Sequence, residues 1–422
     1  MKNKCKIIII FLAVILLVPY INVCAEQKKE NVTAEDLAEK IYVNLIDYKE
    51  IELNDKKAKA DDYTGKDYFD EAERQIESND ENIEQAESKL SSIDISSEER
   101  NQCRYQIEYF EIYNFELQKN KSYYEMQNKL SELYAEYSEK IVLEQKNKLK
   151  SETYKTLCKI YVCESQKKYL EMLSEQKKSE LTVNRESFKL GYATENEVLT
   201  AKSEYEAAKS EFAGCESNYN ILVERLEKES GNKLIEFSLS FSDEEKIESK
   251  KYLEQLKNQS FYEEYYLKQS EIYNEYSKSL DELTKQMDKE YEQSHYRFLF
   301  KDNEDFFDRT YKYISDEKNY YENESEIYKL NSEKYSAELE LNVTESCENL
   351  NTLLLRRTAK LAEITAAENS FTIAEGLFKE GRINKINLSE TKVNLQKAKY
   401  ELSEIESEIL VIRFALNNWG EI

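Results

Sequence analysis

The chain has 422 residues, of which 34% are charged, and its formal net charge is −25. It contains only 7 Gly and 1 Pro, so it has few means of making tight turns and long helices are expected. The strong acidic balance argues against nucleic acid as a partner and against simple electrostatic docking on anionic lipid.

The first 25 residues differ from the rest and read as a secretory signal peptide. The cationic start "MKNKCK" precedes the 12-residue apolar run "IIIIFLAVILLV", and "VCA" before Glu26 predicts cleavage after Ala25. Two alternatives stay open: an uncleaved N-terminal anchor, and a lipoprotein attached through Cys24, although Val23 stands where a small residue is expected. No later run approaches the roughly 20 apolar residues that a membrane helix needs. Loss of the three leader lysines changes the net charge from −25 to −28.

The cysteines that follow the leader do not form a disulfide framework. Five remain, an odd number at irregular spacing: Cys103, Cys158, Cys163, Cys215 and Cys347. We expect them to be small buried apolar side chains on helices.

The chain order predicts one very long helix and several shorter elements. Residues 97–190 contain no Gly or Pro, which predicts a helix on the order of 130 Å long at 1.5 Å per residue. Residues 34–59 are expected to supply a further helix, and the alternating segment 234–242 is expected to be an extended connector. The outer bends are expected near Gly65 and near Phe306.

The second half of the chain repeats the first. The stretch "FKLGYATENEVLTA" begins at Phe188 and "FKEGRINKINLSET" begins at Phe378, so that Gly191 and Gly381 are 190 residues apart. This is a repeat of whole-domain length. It divides the chain after the leader into residues 26–233, with a tip at 188–197, and residues 234–422, with a tip at 378–387.

Heptad spacing follows each tip. In steps of three and four the first apolar series is Val198, Ala201, Tyr205, Ala208, Phe212, Cys215, Tyr219, Leu222 and Leu226. The second is Leu388, Thr391, Leu395, Ala398, Leu402, Ile405, Ile409, Ile412 and Leu416. Four heptads at this spacing predict a coiled-coil seam on each helix.

The tip glycines fit the residue after a helix end, where the backbone turns left-handed at little cost to Gly. Thr194 then fits an N-cap, and Glu197 completes a capping box. In the second copy Asn384 can cap, but Asn387 replaces the glutamate. Each copy is therefore predicted to be a helix, a tight reversal and an antiparallel helix.

The paired tips and the heptads behind them resemble the TolC family of outer-membrane efflux proteins. That family carries tips of the form Y/F-x-x-G followed by D-V-x-x-A, and the resemblance covers nearly the whole chain after residue 25. It implies an all-α fold of two tandem long antiparallel helical hairpins. It also implies a homotrimer in which the hairpins close into a hollow α-barrel, the duct of an efflux or secretion system. The tips would meet a HlyD/MacA-type periplasmic adaptor that leads to an ABC-type inner-membrane transporter.

The resemblance also assigns roles to residues. The adaptor-docking tips would be Gly191, Tyr192, Ala193, Thr194 and Glu195 in the first copy, and Gly381, Arg382, Ile383, Asn384 and Lys385 in the second. The channel entrance would be lined at Glu197, Asn387 and Glu390. The basic gate residue of some family members falls at Ile383, and Arg382 is its neighbour.

One departure from the family concerns the outer membrane. Membrane strands need about 9–11 alternating residues, and neither segment 61–103 nor segment 287–318 supplies them. We therefore expect no transmembrane β-barrel. The resemblance implies a location in the outer membrane. In a source that has no outer membrane, the location would be the cell wall or the cell surface.

Two other classes of function remain open, a structural coiled-coil protein of the cell surface and a secreted helical pore-forming toxin. A toxin should carry an apolar hairpin able to enter a bilayer, and none follows residue 25. A merely structural coiled coil has no reason to keep two equivalent tips. No nucleophile–base set, phosphate loop or metal cluster stands out, so neither an enzyme, a cofactor nor a metal is expected.

Overall fold

The computed structural model describes residues 32–60, 64–241, 249–293 and 298–418. The expected leader lies outside these ranges. Within them the chain forms nine helices, which are α1 (Ala34–Ile41), α2 (Ile46–Ala60), α3 (Thr64–Leu90), α4 (Ser97–Lys189), α5 (Glu195–Ser230), α6 (Ser249–Gln259), α7 (Tyr262–Gln293), α8 (Lys301–Lys379) and α9 (Lys385–Asn418). None of the helices described is long and apolar enough to cross a membrane.

The all-α prediction and the two tandem hairpins are confirmed. The expected long helix is α4, whose 93 residues span about 140 Å. Its counterpart α8 has 79 residues. Helix α5 runs back along the C-terminal part of α4, and α9 runs back along the C-terminal part of α8. We call these parts of the molecule the tip half.

At the other end each long helix has a second antiparallel partner. Helix α3 lies along the N-terminal part of α4, and α7 lies along the N-terminal part of α8. The buried side chains of Asn79 and Asn114 join the first pair, with an N–O distance of 2.8 Å. We call this part the outer half, and it contains helices in the described portions of both segments where strands were sought.

The predicted position of the first outer bend is wrong. The chain reverses between α3 and α4, at residues 91–96, whereas Gly65 lies inside α3. A Cβ atom at Gly65 would come within 2.2 Å of the Asn128 side-chain oxygen, so the glycine allows close helix packing rather than a turn. Ser96 begins α4 with a capping box to Glu99. The second reversal precedes α8, close to the expected position at Phe306.

Residues 34–59 form two helices rather than one. A 3₁₀ turn at Tyr42–Asn44 separates α1 from α2. Leu45 follows in an extended conformation, and its side chain is buried. This break allows the side chain of Leu45 to enter the core formed by α1 and α4.

That core marks the waist of the molecule, where α1 packs on the middle of α4 and side chains from the ends of α5 and α9 join the same cluster. Its buried members include Leu37, Tyr154, Leu157, Leu226 and Phe414. The connector between the repeats is extended in its described part, as predicted, and it forms an isolated parallel bridge from Ser238 to Thr33. The amide of Ala34 donates to the carbonyl of Ser238, and the amide of Ser238 donates to that of Val32, both at 3.0 Å.

The core of the outer half is rich in aromatic side chains and contains a buried ion pair. Tyr276 of α7 packs there with Ile314 of α8 and Ile112 of α4. The Lys119 ammonium lies 2.8 Å from a carboxylate oxygen of Glu317. The Tyr276 hydroxyl donates to the same carboxylate at 2.7 Å. These contacts join α4, α7 and α8 into one bundle.

The two predicted seams are confirmed, since each of their residues is buried or half-buried. Helix α5 has only this one buried face. Helix α9 also buries a second face, because it lies between α8 and α4. The second face was not predicted, and its buried members include Val393, Ser403, Ser407, Leu410 and Phe414.

Candidate functional site

The two tips are built alike. Gly191 has φ +80° and Gly381 has φ +74°, as predicted for left-handed positions after a helix end. In the first tip the Tyr192 amide donates to the Ser187 carbonyl at 2.8 Å, and the Gly191 amide donates to the Phe188 carbonyl at 3.0 Å. The second tip repeats both bonds at the same two distances. This is the Schellman arrangement, which closes the last helical turn.

The return helices begin as predicted, with one difference between the copies. Thr194 accepts from the Glu197 amide, and the Glu197 carboxylate accepts from the Thr194 amide at 2.6 Å and from its hydroxyl at 2.9 Å. The pKa of Glu197 is lowered by these bonds, first the one from the backbone and then the one from the hydroxyl. In the second tip Asn384 accepts from the Asn387 amide at 2.9 Å, and no carboxylate takes part.

The proposed docking residues lie at the surface. Ala193 and Ile383 are half-buried, and the other eight positions are exposed: Gly191, Tyr192, Thr194, Glu195, Gly381, Arg382, Asn384 and Lys385. The first tip is the more apolar, since Leu190 is 70% and Tyr192 is 85% exposed. In the second tip Arg382 lies 3.6 Å from Glu380 in an exposed ion pair.

The three proposed entrance residues are exposed in the first two turns of the return helices. Glu197 is the third residue of α5, and Asn387 and Glu390 are the third and sixth residues of α9. The hydrogen bonds of Glu197 and Asn387 described above all stay within their own tips. Because α4 and α9 pack side by side, with the rings of Tyr169 and Tyr400 stacked at 5.9 Å, both tips face the same end of the molecule.

An ion pair is repeated at equivalent positions behind the tips. Lys167 and Glu216 join α4 to α5 at 2.7 Å. The 190-residue offset leads from these residues to Arg357 and Glu406, which join α8 to α9 at 2.9 Å. The repeat therefore extends from the tip sequence to the packing of the whole tip half.

The four helices of the tip half form an open row rather than a closed bundle. Helix α4 packs on both α5 and α9, and α9 packs on both α4 and α8. Helices α5 and α8 do not pack along each other. They are therefore the outer members of a row in the order α5, α4, α9, α8, and each has one face without a helix partner in the described chain.

Both of these outer faces carry small residues at helical spacing. On α8 the exposed stripe is Leu355, Ala359, Ala362, Ala366, Asn369, Ile373 and Gly376, in alternating steps of four and three. On α5 the exposed stripe is Leu199, Ser203, Ala207, Ser210, Gly214, Ser217 and Ile221. Neither stripe was predicted from the sequence. The three-four spacing of small residues was a visible signal, but the larger residues of the neighbouring seams obscured it.

The glycines in these stripes are unexplained within one chain. Gly214 and Gly376 lie inside helices, and a Cβ atom at either position would meet nothing within 4 Å. A glycine in a helix interior costs up to about 1 kcal/mol relative to alanine. Open space around both residues means that no neighbour in the described chain requires the missing side chain.

Three solved bacterial structures are similar to this chain. They are the CmeC outer membrane channel of Campylobacter jejuni (12% identity, 93% of this chain and 89% of that chain, TM-score 0.47), the outer membrane protein VceC of Vibrio cholerae (10%, 72% and 76%, 0.44), and the open state of the MtrE outer membrane channel of Neisseria gonorrhoeae (9%, 92% and 89%, 0.35). Since each TM-score is below 0.5, the fold assignment rests on the helices of this chain.

No protein-family model and no curated protein sequence matches the chain.

Proposed function

We propose that this chain is one subunit of a TolC-like duct, a homotrimer in the cell envelope that serves a multi-part efflux or secretion system. Its hairpin tips dock a HlyD/MacA-type adaptor, which connects the duct to an ABC-type transporter. The observation that carries the proposal is the open row of four helices, whose two outer faces have small residues and no partner in the described chain.

The repeat predicts what covers those faces. Within the chain, the long helix of the first repeat packs on the return helix of the second, with Tyr169 against Tyr400. The 190-residue offset leads from Tyr169 to Ala359 on α8 and from Tyr400 back to Ser210 on α5. Because α8 and α5 of one chain do not pack together, this equivalent contact is available only between copies.

The same register pairs a large residue with a glycine. One turn farther from the tips, Leu355 of one copy lies opposite Gly214 of the next. The missing side chain gives room to the large one, which accounts for a glycine that nothing in the described chain requires. The register also brings together Glu340 and Lys228, which are oppositely charged.

A contact of this kind is heterologous, because a face of α8 meets a different face, on α5. Such contacts form closed rings when the rotation between copies closes. We propose three copies, since two hairpins per chain are too few to enclose a wide duct alone. The tips of all copies then face one end of the ring, where the adaptor docks.

Oligomeric state tests the proposal. Light scattering on the chain without its leader should give three times the monomer mass, and Ala362→Arg should convert the trimer to a folded monomer with unchanged helix content. Thr372→Arg, at an exposed position on the flank of the same helix, is the matched control and should remain trimeric. A stable wild-type monomer at tens of micromolar would contradict the duct and favour a structural coiled-coil protein.

A further inference from the structure

Two cysteines face each other across the first hairpin. Cys163 lies on α4 and Cys215 on α5, and the Cys215 sulfur is 3.6 Å from the backbone carbonyl oxygen of Cys163. The same sulfur lies 3.5 Å from the Gln166 side-chain oxygen. One thiol is therefore in contact with the residue that bears the other, although the two residues are 52 apart in sequence.

The second hairpin has no thiols at the corresponding place. The 190-residue offset leads from Cys163 to Leu353 and from Cys215 to Ile405. Leu353 and Ile405 pack in one apolar cluster, so this is a position where facing side chains meet across the hairpin. The thiols replace an aliphatic pair in one hairpin only.

Cys163 is the more accessible member of the pair. It is half-buried, whereas the other four cysteines of the described chain, Cys215 among them, are buried. Burial raises the pKa of both Cys163 and Cys215. Since the thiolate is the reactive form, their exchange with an oxidant is slow at neutral pH. A bridge between them therefore needs a dedicated oxidant or a long exposure.

We propose that Cys163 and Cys215 form a disulfide that fastens the first hairpin. A disulfide oxidant supplies the electron balance: one thiolate attacks the oxidant's disulfide, and a mixed disulfide forms. The second thiolate then displaces the oxidant. Two S–H bonds are lost, one S–S bond forms in the protein, and the oxidant leaves as two thiols.

The bridge would enclose the whole first tip. It lies about 39 Å from the end of α4, from the 26 residues between Cys163 and Lys189 at 1.5 Å each. Separation of α4 from α5 would then be confined to the segment between the bridge and Gly191. The second hairpin, with Leu353 and Ile405, would keep its freedom along its full length. Oxidation would make the two tips mechanically unequal.

The test uses the full chain without its leader, reduced, desalted and incubated with oxidised glutathione under native conditions. Alkylation and intact mass should show that two thiols are lost, and peptide mapping should join Cys163 to Cys215. The thermal midpoint should rise on oxidation. Cys215→Ser should abolish the bridge and the rise, and Cys158→Ser, which removes a buried thiol elsewhere on α4, should keep both.

A transplanted pair makes the test independent of the native thiols. With Cys163→Ser and Cys215→Ser in place, Leu353→Cys with Ile405→Cys should form the bridge in the second hairpin. The proposal is overturned if the native thiols remain free in a protein that stays helical. It is equally overturned if the bridge appears only after unfolding in denaturant, or if Cys163 pairs with another cysteine.

Discussion

The outer half and the tip half pack long helices in different ways. In the outer half, large side chains such as Tyr276, Leu280 and Met287 are buried among α4, α7 and α8. In the tip half, the contacts between helices use small residues such as Ala201 and Ala208, and two small-residue faces stay exposed. The difference indicates that association between copies would use the small-residue faces of the tip half.

The largest effect should come from the buried ion pair of the outer half. Glu317→Ala leaves the Lys119 ammonium, whose side chain is only 6% exposed, without its carboxylate. We expect a loss of about 3–5 kcal/mol in the free energy of unfolding, measured by urea denaturation. Lys119→Met with Glu317→Leu should restore most of it. An equal loss from Glu216→Ala, which breaks a surface pair in the tip half, would remove the distinction between the halves.

A smaller effect should separate the two repeated ion pairs. Arg357 and Glu406 are 17% and 21% exposed, against 29% and 43% for Lys167 and Glu216. Glu406→Ala should therefore cost about 1.5 kcal/mol, and Glu216→Ala about 0.5 kcal/mol. Denaturation of the two variants under identical conditions checks the order. If Glu216→Ala cost more than Glu406→Ala, burial would not determine how much these ion pairs contribute to the free energy of unfolding.

The tips should matter more for docking than for stability. Gly191→Val with Gly381→Val forces valine into the left-handed region and should cost on the order of 1 kcal/mol or more at each site. It should abolish adaptor crosslinking and export.

Gly231→Val is the matched control, since Gly231 also has a positive φ, +68°, but ends α5 at the waist. It should lose similar stability and keep the crosslinking. Normal export by the folded double variant would show that adaptor docking does not depend on the conformation of the tips.

The smallest effect should distinguish the two tips by pH. The folded-state pKa of Glu197 is depressed, so its capping contribution is present above the ordinary carboxyl value of 4.5 and is lost as pH falls through the lowered value. Amide exchange, corrected for its intrinsic pH dependence, should show α5 fraying in acid. The start of α9, capped by Asn384, should not fray in this way, and Glu197→Gln should abolish the difference.

Helix lengths and tips were predictable because they depend on local rules. The absence of Gly and Pro located α4 to within one residue at its C-terminal end, and the spacing around Gly191 and Thr194 predicted both caps. The first outer bend was not predictable from composition, because Gly65 is explained only by its distance to Asn128. The signal at the true bend was the capping pair Ser96 and Glu99, which stands among several similar serine–glutamate pairs.

The second buried face of α9 and the two exposed stripes could not be assigned from the sequence. Whether Val393 or Ala362 faces a neighbour depends on the order of helices in the row, which is a property of the tertiary fold. Two faces of α8 have residues at three-four spacing. One is buried against α9 and the other is exposed, and the spacing alone does not say which is which. Only the position of α8 at the end of the row decides between them.

The β-bridge between Thr33 and Ser238 has a consequence for circular permutation of the chain. The start of the described chain is held there, and its last described residue, Asn418, accepts a hydrogen bond at 3.2 Å from Lys150, which also pairs with Glu39 of α1. The first and last described residues thus lie together at the waist. A circular permutant joined at the waist and opened at the outer reversal, residues 91–96, would leave both tips on uninterrupted hairpins. A tag fused at either of these residues would sit roughly 60 Å from the tips, the length of α4 from Lys150 to Lys189.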